Sequence, residues 1–149
     1  MNKLFKTALI LSLPLLLNAS DLIVKDGALS VNDTINKIEK IVASKAKAGL
    51  GVFSIIDHKK GADKVKLDLV PTKVILFGNP NLGTKLMQVD PLVALDLPMK
   101  VLVYDKNGQT KIVYRNPKAW SENYKIKGSK LVEKMVKAMD AITTKASQK

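Results

Sequence analysis

The chain has no cysteine among its 149 residues. That absence removes disulfides, thiolate metal sites and the lipid-anchored route of export, which needs a cysteine to acylate. Histidine occurs once, at His58, which leaves no histidine cluster for a metal; no Cys/His or Ser/His/Asp catalytic signature appears in the sequence. Arginine also occurs once, at Arg115, although lysine and arginine together number 25. A nucleic-acid reader favours arginine's forked donors on bases and phosphates, and scattered lysines argue instead for a solvated basic surface. No apolar run reaches the length needed to cross a hydrocarbon core of about 30 Å.

What is present begins with an export signal. Lys3 and Lys6 precede an apolar stretch over residues 8–17, broken only by Ser12 and Pro14, and Leu17-Asn18-Ala19 supplies the small residue of a cleavage site. The expectation is a signal peptide over residues 1–19, cleaved after Ala19 or one residue later, and a mature domain over residues 20–149. Loss of the two lysines takes the net charge from +12 to +10. In a Gram-negative host the product is a periplasmic protein with no integral membrane segment after cleavage and no nucleic-acid partner.

The mature sequence reads as one domain with 46% hydrophobic residues, enough for an ordinary core. Leu22-Ile23-Val24 starts a strand that Asp26-Gly27 ends. Ser30 is placed to cap a helix whose apolar stripe is Val31, Ile35, Ile38 and Val42, with Gly49 as its stop. A strand follows over residues 52–57, with His58 continuing one of its faces, and residues 59–66 read as a loop or short polar helix. Residues 74–77, Val-Ile-Leu-Phe, read as a central strand buried on both faces. Gly78-Asn79-Pro80 ends it, Asn81 or Thr84 caps a short helix, and Pro91 opens a further turn that Pro98 stops. Lys106-Asn107-Gly108 marks a hairpin. Ser129 starts a last helix striped by Leu131, Val132, Met135, Met139 and Ile142, with Lys130, Lys134 and Lys137 facing water and residues 145–149 frayed. The predicted class is α+β: two layers, a mostly antiparallel sheet with two longer helices packed on one face.

Asp57-His58, the Phe77-Gly78-Asn79-Pro80 turn, Gly83-Thr84 with Leu86-Met87, Ala94-Leu95-Asp96-Leu97-Pro98, the Val103-Tyr104 strand and the strand end at Tyr114 to Pro117 occur in one order and spacing. This pattern, covering roughly residues 49–120, resembles the DUF302 family of small bacterial and archaeal domains. The resemblance implies a compact α+β fold and a homodimer, and it implies no established chemistry.

Candidate sites gather around the central turn. Gly78, four residues and then Gly83-Thr84-Lys85 is close to a phosphate-binding loop. However, its lysine lies one position late, about 100° further around the helix, and Pro80 removes a cradling N–H. A weaker anion site on backbone N–H groups is a milder reading there, and the plain one is a turn that packs the short helix onto the sheet. His58 would serve as acid, base or ligand, yet Asp57, pointing to the opposite face of the strand, would not orient it. Asp90 and Asp96 read as turn caps. The leading reading is a non-catalytic periplasmic homodimer, without cofactor or metal, that binds a small ligand or protein partner at His58, Asn79, Gly83, Thr84, Met87 and Asp96. Two alternatives are a metal or haem carrier using His58 with Met87 or Met99, and an acid/base enzyme using His58 with Asp96.

Overall fold

A computed structural model describes residues 21–149; the expected signal peptide and its cleavage site lie outside them. Five strands form one sheet: β1 (Leu22–Gly27), β2 (Gly51–Asp57), β3 (Thr72–Gly78), β4 (Met99–Lys106) and β5 (Gln109–Arg115). Their order is β1-β5-β4-β3-β2 and every pairing is antiparallel. The helices are α1 (Val31–Ala43), α2 (His58–Lys64), α3 (Pro80–Val89), α4 (Trp120–Asn123) and α5 (Lys130–Ser147). α1 carries the chain from one edge strand to the other, and α5 returns to pack on α1 and β1. The two long helices thus cover one face of the sheet, as the sequence pattern predicts.

Alternation decides which side chains fill the layer between sheet and helices. Ile75, Phe77, Val101, Val103 and Ile112 point toward the helices and are buried, meeting Val31, Ile35, Ile38 and Val42 of α1 and Met135, Met139 and Ile142 of α5. The capping residues behave as read: Ser30 accepts from Asp33 N and Ser129 from Leu131 N. Asn107 and Gly108 both adopt positive φ between β4 and β5, the geometry a two-residue hairpin requires.

Three expectations change. β3 is paired on both edges, but it is buried on one face only, because Val74 and Leu76 lie half-buried on the face without helices. His58 does not continue the strand: it opens a helix over residues 58–64, the short polar helix that is one of the two readings of the segment, started by the Asp57 side chain accepting from Lys60 N. α5 continues to Ser147, since Ala146 is fully buried and Ala28 N donates to Ser147 O at 2.9 Å.

The excursion from Asn79 to Pro98 is held at its two ends by side-chain hydrogen bonds. At the first, the Asn79 amide donates to Ala48 O at 2.7 Å while its carbonyl oxygen caps α3 at Asn81 N. Gly49 sits beside it at φ 83°, and a Cβ there would lie 3.0 Å from the Asn79 nitrogen. At the second, the buried Asp90 carboxylate accepts from Leu92 N and from Lys125 N, both at 3.0 Å, fixing a 3-10 turn (Pro91–Leu95) to the loop before α5. These N–H donors, Lys125 N first, hold the Asp90 carboxyl below the ordinary carboxylate value.

Three substitutions test this framework. Ile75→Ala, at a site with no exposure, is expected to cost about 3 kcal/mol in chemical denaturation. Gly49→Ala forces a side chain into the left-handed region and against Asn79, and should cost about 1–2 kcal/mol in the same assay. Ionised Asp90 stabilises the fold fully above its unfolded value, so that contribution should fade as pH drops below about 4. Asp90→Asn should lower stability at pH 7 and flatten that acid slope in a pH series of denaturation midpoints.

Candidate ligand cavity between α3 and α5

Leu86 and Val93 anchor the excursion in the core, and beside them a space remains between it and α5. A cavity of about 470 Å³ opens there, within the range of sites that take small molecules. Leu50, Phe53, Phe77 and Gly78 come from β2, β3 and the approach to β2; Asn79, Leu82, Gly83, Thr84 and Met87 come from the start and middle of α3; Ala94, Leu97, Pro98 and Met99 come from the 3-10 turn and β4. α5 closes the other side with Lys134, Met135, Ala138, Met139 and Ile142. The lining is almost wholly apolar; Asn79, Thr84 and Lys134 are its only polar or charged side chains.

Methionine is the most informative part of that wall. The sequence has five methionines, and the four beyond Met1, namely Met87, Met99, Met135 and Met139, all line this one cavity. Long, unbranched and polarisable, methionine fits irregular shapes and adapts to varied apolar ligands. Met135 and Met139 read from sequence as core filling; they do fill the core, and they also face the cavity.

Of the six residues expected to form a site, Asn79, Gly83, Thr84 and Met87 meet in this cavity. His58 and Asp96 do not. His58 is exposed at the start of α2, next to the Asp57–Lys73 pair of the sheet, whereas Asp96, Met87 and Met99 belong to the end marked by Phe77 and Met99. The Lys73 and Phe77 rows of β3 are separated by roughly 13 Å at about 3.3 Å per residue. One chain therefore brings His58 together with neither Asp96 nor either methionine. Asp57, meanwhile, is engaged by Lys60 N and by Lys73 Nζ at 3.1 Å, and the Lys60 N–H holds its carboxyl below the ordinary value. Asp96 accepts a 2.6 Å hydrogen bond from the Tyr124 hydroxyl, which raises the tyrosine's pKa; it borders a second hollow of about 210 Å³ with Lys100, Arg115 and Trp120.

The start of α3 offers few donors for the weaker anion site considered there. Pro80 has no N–H, the Asn79 side chain occupies Asn81 N, and Asn79 O accepts from both Leu82 N and Gly83 N. The Asn81, Leu82 and Gly83 N–H groups are thus taken within the protein. Among the described residues no group of three histidine or acidic side chains is placed to hold a metal. Sequence reasoning missed the contribution of α5. Lys134 reads as a solvent-facing lysine on the helical wheel, and only the i, i+4 repeat of Met135 and Met139 within an otherwise aliphatic stripe signals that the surface there is unusual.

Comparison with known proteins agrees with this architecture. Over 103 residues the chain is 41% identical to "Fluoride-specific ion channel FluC 1" of Brucella suis biovar 1 (strain 1330), a match over 68% of this chain and 39% of that protein. Proteins with the names FluC 1 in Brucella abortus biovar 1 (strain 9-941) and FluC 2 in Brucella melitensis biotype 1 share 41% over 103 residues and 36% of their length. The chain thus spans less than two fifths of these curated relatives. A solved structure, described as "uncharacterized conserved protein DUF302 from Bacillus stearothermophilus", superposes with a TM-score of 0.73 at 24% identity, covering 86% of this chain and 99% of that one. It shows the same fold. Residues 24–142 match the family described as "Domain of unknown function DUF302", and the chain belongs to that family.

Proposed function

We propose that this chain is an exported, homodimeric, non-catalytic domain that binds a small apolar ligand in the cavity between α3 and α5. The observation that carries the reading is the convergence of Met87, Met99, Met135 and Met139 on one apolar space of about 470 Å³. Export rests on the leader read in residues 1–19. Absence of catalysis is supported by the placement of His58, which is exposed and remote from Asp96 and from the cavity. Among the described residues no helix is long and apolar enough to cross a membrane.

The homodimer is supported by β2. It is an edge strand, yet Phe53, Ile55 and Ile56 are each more than a third exposed, and Val65, Leu67, Leu69 and Val70 are exposed on the connection that follows. An unpaired apolar edge invites another strand. A second copy offers the same edge, and antiparallel β2–β2 pairing about a two-fold axis closes the assembly without leaving a repeating end.

A second reading follows from the same methionines: thioether sulfurs are ligands for a soft ion such as copper(I). It replaces the carrier built on His58, which the geometry keeps apart from Met87 and Met99. Native mass spectrometry of the mature protein from its own periplasm, with metal analysis of the same sample, distinguishes them. The expected result is a dimer carrying an organic mass that organic solvent extracts. Stoichiometric copper would favour the second reading, and a monomer at micromolar concentration would contradict the dimer.

A further inference from the structure

We infer that the cavity's ligand is a single-chain anionic amphiphile whose apolar body lies among the methionines and whose head group is met by Lys134. The inference rests on the apolar-ligand reading of the cavity and names the ligand's chemical class.

Size limits the body. A space of about 470 Å³, open to solvent at its mouth, lies toward the small end of ligand sites and suits a single alkyl chain. Flexibility of the wall points the same way, because four methionines reshape around a chain more readily than around one rigid ring system.

Charge selects the head. Lys134 is the one charged side chain in the lining, and no carboxylate accompanies it there. Among the described residues no ion pair engages its ammonium group. It is exposed on the first turns of α5, so its long stem reaches the cavity mouth while the charge stays hydrated. Thr84 of α3, also exposed, is the polar residue of the opposite wall with a side chain not committed to the fold's hydrogen bonds, Asn79 being taken by Ala48 O and Asn81 N. A carboxylate, sulfate or phosphate at the mouth would meet a cation there and no competing anion, whereas a cationic head would meet Lys134 unfavourably. The Asn81, Leu82 and Gly83 N–H groups at the start of α3 play no part, since they are taken within the protein.

Isothermal titration of the mature protein below the micelle concentration tests this with three probes that share one tail: dodecanoate, dodecanol and dodecyltrimethylammonium. Dodecanoate should bind about tenfold or more tighter than dodecanol, with the ammonium weakest. Lys134→Glu should remove most of the preference for dodecanoate while leaving dodecanol binding within about twofold, and Lys134→Arg should retain it. Ala138→Trp, an exposed position of α5 that faces the cavity, should abolish binding of all three without loss of folding by circular dichroism. Equal binding of dodecanoate and dodecanol, unchanged in Lys134→Glu, would overturn the head-group assignment and leave the apolar cavity standing. No binding of any probe, or binding unaffected by Ala138→Trp, would overturn the cavity reading itself.

Discussion

The structure depends on how the excursion between β3 and β4 is tied down. Asn79 bonds Ala48 O with one end of its amide and caps α3 with the other. Asp90 ties the far end to Lys125 N and Leu92 N. Leu86 and Val93 are buried in the core alongside these bonds, and the cavity lies between the excursion and α5. The site is bordered by four hydrogen bonds and lined by side chains that contribute few of their own.

That division of labour accounts for the polarity of the region. The groups that sequence reading offers for a site, namely Asn79 and Asp96, are engaged in hydrogen bonds within the fold. The remaining wall is soft and apolar, which suits recognition by shape and desolvation better than acid, base or nucleophilic catalysis. Phe53 joins the cavity to the other notable surface, since it lines the one and is 57% exposed on the open edge of β2.

Much of the fold is legible in the sequence because it follows from local rules. The stripe Val31, Ile35, Ile38 and Val42 fixes the buried side of α1, Asn107-Gly108 fixes the hairpin, and Ser30 and Ser129 fix two helix starts. α2 was harder to read: residues 58–64 contain no apolar period and have Gly61 at their centre, so only the Asp57 cap marks the helix. The helix begins at His58 itself, one residue before the segment whose polarity suggests it, which takes His58 off the strand face. Four of the six expected site residues lie together because one short stretch, residues 79–87, carries them. The rest of the cavity comes from α5, about fifty residues downstream, and from β2, and a space between elements leaves no period in a sequence. Lys134 in particular reads as an ordinary surface lysine until the tertiary arrangement sets it at an apolar mouth.

The most direct measurement of the central claim is a methyl NMR titration of mature protein labelled with ¹³C at its methionine methyl groups. Among the described residues the methionines are Met87, Met99, Met135 and Met139, and all line the cavity. Addition of dodecanoate should move all four resonances together to saturation at one equivalent per chain, with contacts from the probe's methylenes to each. Resonances that stay in place while the probe binds elsewhere would contradict a ligand cavity between α3 and α5.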